Sequence, residues 1–374
     1  MADRQLQHDS PWLLALLAAL VALGPLSVDM YLPAMPRMRE ALGTDIGHMH
    51  LTLSTYLTGF ALFHLACGPL ADRFGRKPVL MGGTWLFVAA CIGCSLASTV
   101  EELLLYRFIQ GVGACVGPTL ARAVARDVFG PIRAARALSL IAMLMALAPA
   151  IAPTLGSILL LWLPWPIIFI FLAAYGGAMI VLIQLFLAES LPAIQSLHPL
   201  SIVRNYAQLL RSPMFITATF ASGFVYAGLL AYLSSSSFVY IDMLGVPVQY
   251  FGFIFLTSVA GYMLGSALSA RLSRSYDSEL TVLIGALLAA TATGSMWLGA
   301  QLLPRSVVML ALPMMFYSTG MGLVLPNAMA VALRPFAHIA GTASALLGFI
   351  QMSVSASATA LVGTRTCAIP PRPC

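Results

Sequence analysis

Long runs of apolar residues recur along the chain and constrain its fold more than any other feature. A membrane-spanning helix needs roughly 20 mainly apolar residues, and eleven windows of this kind occur. They lie at about 12–34, 51–70, 79–98, 102–125, 136–161, 165–187, 214–238, 248–270, 280–302, 306–330 and 336–362. Of the 374 residues 60% are hydrophobic and only 9% are charged, a composition that a soluble domain does not tolerate. The sequence therefore predicts an all-α membrane protein with about 11 transmembrane helices.

The distribution of basic residues predicts the orientation of these helices. Of the 19 lysines and arginines, 13 flank one side of the predicted membrane, five lie on the other side or in the tail, and Arg107 lies within a helix. Cytoplasmic loops carry the excess of Lys and Arg, so we expect the N-terminus to lie in the cytoplasm. The net charge of +6 then faces anionic lipid headgroups and requires no nucleic acid partner.

The longest polar connection, at 188–213, divides the chain into two halves. We expect an N-terminal six-helix half at 1–190, a cytoplasmic linker at 191–213, a C-terminal half of five helices at 214–362 and an atypical tail at 363–374. GPLADRFGR (68–76) ends the second predicted span, and SALSARLSR (266–274) ends the eighth with three matching positions. Repeats of six helices form a transporter architecture with the substrate site between the halves.

Eight segments spread over nearly the whole chain match those of a known family. They are DMYLPAMP (29–36), LTLSTYLTGFAL (51–62), GPLADRFGRKPVL (68–80), RFIQGVGA (107–114), ARAVARDVF (121–129), FVYIDMLGVPVQYFGFIF (238–255), LPNAMAVAL (325–333) and GTASALLGFIQ (341–351). In these segments the chain resembles the major facilitator superfamily, in its drug–proton antiporter branch and the Bcr/CflA (bicyclomycin and chloramphenicol resistance) subfamily. The resemblance implies two pseudo-repeated halves of six helices. It also implies export of drugs or metabolites against inward proton flow.

The end of the chain departs from this resemblance. After the eleventh predicted helix the sequence reads GTRTCAIPPRPC (363–374), and its three prolines and two arginines cannot form a spanning helix. We therefore expect the twelfth helix of the family to be missing.

Asp29 places a carboxylate at the end of the first apolar run. A charged residue within a transmembrane helix costs roughly 2.5–3.5 kcal/mol, so such residues usually face a cavity and serve a pathway. Low dielectric favours the neutral carboxyl, which can bind and release a proton as water reaches it from alternate sides. Tyr31, two residues on, is a candidate for hydrogen bonding to substrate. The alternatives are that Asp29 only caps or pairs at the outer interface near Arg37, and that Tyr31 anchors there.

Arg107 lies inside the fourth predicted helix, with Gln110 one turn away. Arginine stays protonated, so a buried Arg107 needs acceptors, and its charge would tune the proton affinity of an acid such as Asp29. The family places an arginine here, and the resemblance implies a role in proton coupling. The alternative is that Arg107 extends to the outer interface beside Glu101 and Glu102.

The loop GPLADRFGRKP (68–78) predicts a conformational gate. Gly68 would permit a close approach of helices, and Gly75 would allow a tight turn. Asp72 would pair with a nearby arginine or with a helix N-terminus, in one access state only. The alternative is a surface salt bridge that only reflects topology.

The resemblance extends this gate to further charged residues. It implies gating roles for Asp72, Arg73 and Arg76, and we expect Asp127, at the cytoplasmic end of the fourth predicted helix, to be the partner of Arg76.

The fifth predicted helix contains ALAPAIAPTLGS (146–157), in which Pro149 and Pro153 lie one turn apart and Gly156 follows. Two prolines free backbone carbonyls and bend a helix. The segment resembles the antiporter signature of the family, although alanine stands where glycine normally precedes the prolines. The alternative is a structural kink without a direct role.

Several further polar and aromatic residues fall within predicted spans. His64 would either titrate or hydrogen-bond across helices. Aromatic residues that would line a promiscuous cavity, or pack against lipid, are Tyr226, Tyr232, Tyr262, Phe316 and Tyr317.

The sequence contains no pattern of an enzyme. No His or Cys set has zinc spacing, and no nucleophile–base pair is spaced for catalysis. We expect a monomeric efflux transporter of the bacterial inner membrane that uses the proton gradient, without a cofactor, to export small amphipathic drug-like compounds. The alternatives are a solute importer or facilitator of the same fold, and a truncated membrane protein that does not transport.

Overall fold

Helices make up the chain, and no β-strand occurs within the residues that the structure describes. The computed structural model describes residues 11–191, 199–272, 275–303 and 306–367, and the side chains at 11, 130–150, 199–203, 337–338, 340 and 365–367 lie outside what it describes. The helices are α1 (Pro11–Asp29), α2 (Met35–Ala41), α3 (Ile46–Phe74), α4 (Arg76–Leu96), α5 (Val100–Ala114), α6 (Val116–Trp162), α7 (Ile167–Phe186), α8 (Pro199–Leu210), α9 (Pro213–Ser237), α10 (Val248–Leu272), α11 (Ser278–Leu302), α12 (Val308–Leu333) and α13 (Ala340–Cys367).

Ten helical stretches of the described residues are long and apolar enough to cross a membrane, and Ile151–Trp162 is a shorter apolar helix. The first of these stretches joins α1, the 3₁₀ turn Leu32–Ala34 and α2. Each coincides with one of the predicted windows, and the short helix is the part of the window at 136–161 whose side chains the structure describes. The all-α membrane fold predicted from the apolar windows is therefore confirmed.

The predicted fourth and fifth spans correspond to two separate apolar stretches, Val100–Phe129 and Ile151–Trp162, but no loop divides them. The windows at 102–125 and 136–161 place a loop between two helices, whereas the backbone of α6 is helical from Val116 to Trp162, and the break falls at Cys115. A Cβ at Gly117 would meet the carbonyl of Leu20, and one at Gly156 would meet that of Met30. A straight helix would separate these glycines by roughly 58 Å, but the two contacts on α1 are only about 15 Å apart. The helix therefore bends back upon itself between them.

The helices pack in two groups. The first helix group, α1–α7, is held by the pairs α1–α6, α3–α5, α4–α5 and α4–α7, and the second, α8–α13, by α11–α12, α10–α12, α9–α13 and α9–α12. The two groups meet mainly along α3 with α13 and along α6 with α10. The predicted domain limits at 190 and 213 remain a prediction, and the predicted linker contains α8, with 192–198 outside the described residues.

Glycines set how closely the helices approach. At the crossing of α3 and α5, a Cβ at Gly59 would meet the carbonyl of Phe108, and a Cβ at Gly111 would meet that of Tyr56. The backbones touch because neither residue has a side chain. This crossing fixes the position of α5, which carries Arg107, against the rest of the first helix group.

The last helix extends beyond its predicted end. The window stops at 362, but α13 continues to Cys367. The remaining residues of the predicted tail, 368–374, lie outside the described residues.

Candidate functional site

Asp29 is the last residue of α1 and lies where the two helix groups meet. The residue is 4% exposed, and its carboxylate has no hydrogen bond or ion pair within the described residues. Tyr226 of α9 lies within electrostatic range of the carboxylate, and Tyr262 lies near Tyr226. The turn Leu32–Ala34, just beyond Asp29, also packs against α9. Asp29 therefore lies near Tyr226 of the second helix group.

The predicted alternative for Asp29, a pair with Arg37 at the outer interface, is not what the structure contains. The guanidinium of Arg37 donates instead to the backbone carbonyl of Leu160, within the first helix group. Tyr31 is also fully buried, and its hydroxyl pairs with that of Thr52. Tyr31 therefore neither anchors at an interface nor offers its hydroxyl to a ligand in this conformation.

Arg107 is fully buried in α5, inside the first helix group. Its Nη1 donates to the carbonyl of Ser27 at 3.1 Å and to Oε1 of Gln110 at 2.5 Å. Three aromatic rings lie 4.4, 4.5 and 6.0 Å from its Cζ, those of Tyr31, Tyr56 and Phe169. A desolvated cation over an aromatic face gains about 2 kcal/mol. The predicted acceptor Gln110 is present, and extension of Arg107 to the interface is excluded.

No direct contact between the side chains of Arg107 and Asp29 supports the predicted effect of Arg107 on the proton affinity of Asp29. Within the described residues Nε and Nη2 of Arg107 have no hydrogen-bond partner. Ser27 in the last turn of α1 and Tyr31 just beyond the end of that helix both contact Arg107, whereas Asp29 lies about 200° around the helix from Ser27. The guanidinium therefore holds the last turn of α1 from one side, while the carboxylate points to the other side.

The predicted gate contains a network of charged groups where α3 ends and α4 begins. Nη1 of Arg76 lies 2.7 Å from Oδ1 of Asp72, and Nε of Arg76 donates to Oδ2 of Asp127 at 3.1 Å. These are the pairs that the sequence motif predicts for Asp72 and Asp127. Gly75 has φ of +99°, a backbone conformation that side-chain-bearing residues rarely adopt. The tight turn predicted at Gly75 is confirmed.

Glu189 belongs to this network, and the sequence motif does not reveal it. Its carboxylate follows α7 and accepts hydrogen bonds from the backbone N–H groups of Arg76 at 2.9 Å and Lys77 at 3.1 Å. It thereby caps the first turn of α4, where free N–H groups and the helix dipole favour an anion. A Cβ at Gly75 would meet Oε2 of Glu189, so the glycine also makes room for this cap. No local pattern around 189 points to a partner 112 residues away.

Two predicted gate residues behave differently. Arg73 is exposed, and its Cζ lies 5.3 Å from the ring of Phe74, so it is not part of the network. At Gly68 no neighbouring atom lies within 4 Å of the position that a Cβ would take. The close helix approach predicted at Gly68 is therefore wrong, because no neighbouring helix reaches this face of α3.

The proline-containing segment of α6 packs directly against the end of α1. A Cβ at Gly156 would meet the backbone carbonyl of Met30, the residue after Asp29. Pro153 is buried in the same stretch, and Pro149 lies among the side chains outside the described ones. The predicted kinked segment therefore contributes to the wall behind the buried carboxylate.

Polar residues of the second helix group pair locally. Nδ2 of Asn327 donates to Oγ of Ser269 at 2.7 Å, and the hydroxyl of Tyr317 donates to the carbonyl of Val225 at 2.7 Å. His64 is buried in the first group, with Nδ1 3.5 Å from Sγ of Cys115. The hydrogen bonding predicted for His64 is thus present. Of the described residues, no three His, Cys, Asp or Glu side chains are arranged to hold a metal ion.

Comparisons with known proteins agree with this arrangement. The family model described as Major Facilitator Superfamily matches residues 17–359. An uncharacterized MFS-type transporter, YdgK of Bacillus subtilis, is 33% identical over 95% of this chain and 89% of its own. A bicyclomycin resistance protein homolog of Haemophilus influenzae is 29% identical, with 93% and 88% covered. The multidrug resistance protein MdtL of Shigella dysenteriae is 31% identical, with 89% and 84% covered.

Solved structures share the fold at low identity. A D-xylose–proton symporter has a TM-score of 0.75 at 16% identity, with 93% of this chain and 89% of that chain covered. A bacterial homologue of the lysosomal transporter Spinster, in an inward-facing conformation, has a TM-score of 0.71 at 16% identity, with 93% and 81% covered. At this identity the likeness concerns the fold alone.

Proposed function

The chain belongs to the Major Facilitator Superfamily, and from that premise we propose that it is a proton-coupled antiporter that exports small amphipathic, drug-like compounds. The names of its relatives, a bicyclomycin resistance protein homolog and a multidrug resistance protein, support the substrate class. The observation that carries the proposal is the position of Asp29. It is a buried carboxylate at the junction of two helix groups, in a chain that spans the bacterial inner membrane several times.

Asp29 is proposed to bind the proton. Its carboxylate has no cation partner among the described residues, so burial favours the protonated form, and access to water favours release. Each unit of pH gradient supplies about 1.4 kcal/mol per proton, and the membrane potential adds roughly 2.3 kcal/mol per charge per 100 mV. A substrate that enters between Asp29 and Tyr226 would compete with the proton, which couples drug exit to proton entry.

Arg107 and Gln110 are proposed to position this acid. The guanidinium holds the last turn of α1 through the carbonyl of Ser27, and it contacts the ring of Tyr31 just beyond that helix. Asp29 lies on the same turn as Ser27. If α1 moves during the access change, the carboxyl of Asp29 moves with it and keeps its orientation relative to the helix. Arg107 is therefore a positioning residue, and its charge acts on the proton only through space.

The network at the α3–α4 turn is proposed to be the cytoplasmic gate. Arg76, Asp72 and Asp127 are partly exposed, with side-chain exposures of 13%, 34% and 20%, so their pairs can break and reform at modest cost. The excess of basic residues at this end supports its cytoplasmic placement and that of the N-terminus. The other end, which carries α2, then faces outward. The proline segment Pro149, Pro153 and Gly156 is proposed to flex beside α1, and the transporter to act as a monomer.

Export is tested in a drug-sensitive bacterial strain that expresses the full chain. We expect accumulation of a chloramphenicol-like drug to fall on expression, and an uncoupler of the proton gradient to restore it. Asp29→Asn is expected to abolish export, whereas Asp29→Glu, which keeps the carboxyl, retains part of it. Membrane levels of both variants are measured as the matched control. Export that persists with the uncoupler or in Asp29→Asn would contradict proton coupling through this residue.

A further inference from the structure

An ion pair joins the two helix groups at the end of the bundle that carries α2. Nη1 of Arg39, in α2, lies 3.1 Å from Oδ2 of Asp242, in the π-helical segment Phe238–Met243 that follows α9. The two side chains are 25% and 28% exposed, so the pair is only partly screened by water. The family motifs at the opposite end of the bundle do not include either residue.

Phe238 adds an aromatic contact to the same place. Its ring centroid lies 5.8 Å from Cζ of Arg39 and 5.8 Å from the ring of His50 in α3. Phe238 is 4% exposed and His50 is 2% exposed. Two side chains of the first helix group therefore hold one ring of the second, next to the ion pair. We call Arg39, His50, Phe238 and Asp242 the α2-end clasp.

The segment that carries Phe238 and Asp242 is braced within its own helix group. It is a π-helical turn, a rare geometry that is frequent at functional sites. The hydroxyls of Tyr232 and Tyr240 lie 2.8 Å apart, and the N–H of Val246 donates to the carbonyl of Tyr240 at 2.8 Å. Phe238 and Asp242 therefore move with the second helix group.

Arg39 has a second acidic neighbour on its own side of the clasp. Its Nη2 lies 3.6 Å from Oε1 of Glu40, the next residue in α2. When the two helix groups part at this end, Arg39 loses Asp242 but retains Glu40. The guanidinium is then not left unpaired during opening, which limits the cost of breaking a partly buried ion pair.

We propose that the α2-end clasp is the outer gate of this transporter, in which Arg39 pairs with Asp242 when the end is closed and with Glu40 alone when it is open. The inference rests on the proposed alternating access and names the residues that hold its outward-closed state. The proposed gate does not depend on drug binding, on proton binding or on the α3–α4 network.

The distance across the α2 end tests the clasp without any transport assay. Nitroxide labels are attached at Ala41→Cys in α2 and Gln249→Cys in α10, both exposed positions, in the full chain with Cys367 and Cys374 replaced by serine. The distance distribution is measured by pulsed electron resonance in nanodiscs without drug. We expect Arg39→Gln and Asp242→Asn each to raise the population of a longer distance by up to about fivefold, as an ion pair of this exposure allows.

Charge reversal separates a broken clasp from a misfolded chain. Arg39→Asp and Asp242→Arg together recreate the pair in the opposite sense, and we expect this double variant to recover the short distance that each single reversal loses. Glu40→Gln removes the alternative partner and is expected to lower the long-distance population. Arg37→Gln is the matched control, because this arginine also lies in α2 and donates its hydrogen bond to Leu160 of its own group.

Two outcomes would overturn the clasp. One is a distance distribution in Arg39→Gln and Asp242→Asn that matches the parent and Arg37→Gln. The other is a double reversal that is as open as the single reversals. The distances could behave as expected in a chain that exports nothing. That result would contradict the proposed function but not the clasp, so failure of the one is distinguishable from failure of the other.

Discussion

At the scale of single residues, the molecule keeps the buried groups Arg107 and Asp29 apart. Arg107 is surrounded by aromatic rings and by the oxygens of Ser27 and Gln110 in the first helix group, whereas Asp29 lies near Tyr226 of the second. An unpaired buried charge costs several kcal/mol, and the rings around Arg107 offset part of that cost. A carboxylate in place of the rings would pair with the arginine, but it would also add a second titratable acid to the interior of the first helix group.

Two substitutions of Tyr56 separate the contribution of its ring to stability from that of its hydroxyl. Tyr56→Phe keeps the ring over the guanidinium and loses the hydroxyl, which donates to the carbonyl of Gly24 at 3.3 Å and also interacts with Ser27, so we expect a loss of about 1 kcal/mol in unfolding free energy. Tyr56→Leu removes the ring and is expected to cost about 3 kcal/mol. Thermal unfolding in detergent measures both. Equal losses in the two variants would mean that the ring contributes nothing to the buried charge.

Sequence reasoning reached part of this site. The pairing of Arg107 with Gln110 and that of Arg76 with Asp72 follow from residue type and from spacing along one helix, whereas Asp127 as a partner of Arg76 came with the family resemblance. The contact of Arg107 with Phe169 and the opposite orientation of Asp29 do not follow from the sequence, because they depend on how α1 and α7 rotate about their axes. Hydropathy fixes which segments span, and it leaves that rotation open wherever a helix is apolar on all sides.

At the scale of elements, the crossing of α3 and α5 depends on glycines at both contact points. Gly111→Ala would place a Cβ against the carbonyl of Tyr56, and overpacking of this kind costs about 1–3 kcal/mol. We expect a lower midpoint of thermal unfolding and lower export. Gly68→Ala is the matched control in α3, since its Cβ would meet open space. If both variants unfold at the same temperature, the crossing is not held by backbone contact.

The cap that Glu189 provides for α4 is a second prediction at this scale. Glu189→Gln removes the negative charge that accepts the N–H groups of Arg76 and Lys77. We expect faster hydrogen exchange of these two amides, by up to about fivefold for a loss near 1 kcal/mol. Asp72→Asn serves as the control, because it breaks the pair with Arg76 and leaves the cap intact. Mass spectrometry of the peptide around 76–77 measures both, and equal protection in Glu189→Gln and the parent would refute the cap.

The helix boundaries show which elements could be predicted from the sequence. Ten spans follow from apolar windows because a bilayer imposes their length. The windows do not reveal that one helix, α6, runs through the junction of the fourth and fifth spans, because Gly130 and Pro131 lie in that junction and both disfavour a helix. The turn at Gly75 was predictable, because a glycine stands among charged residues in the sequence. The capping of α4 by Glu189 was not predictable, because it depends on where α7 ends in space.

At the scale of the whole molecule, α3 and α13 form the longest contact between the two helix groups. The hydroxyl of Ser54 donates to the carbonyl of Ala356 at 2.6 Å, and His64 lies opposite Gly348. Relative movement of the two groups must slide or separate this seam. Small residues on α13 therefore set how closely the groups can approach.

The fit of His64 against Gly348 gives a prediction for the seam. A Cβ at Gly348 would lie 2.6 Å from Nε2 of His64, so Gly348→Ala is expected to hold the groups apart and to reduce export. His64→Ala removes the ring, and the double variant His64→Ala with Gly348→Ala is expected to regain much of the lost export. Drug accumulation in the sensitive strain measures all three. A double variant that is no better than Gly348→Ala would show that this contact does not control the movement.

The central claim is that the carboxyl of Asp29 exchanges a proton for the exported compound. The most direct measurement uses proteoliposomes that contain the purified chain, a pH gradient and an internal pH indicator. We expect addition of a chloramphenicol-like drug to dissipate the gradient in the parent, to have no effect in Asp29→Asn, and to act more weakly in Asp29→Glu. Drug-dependent proton movement at the parental rate in Asp29→Asn would contradict the account.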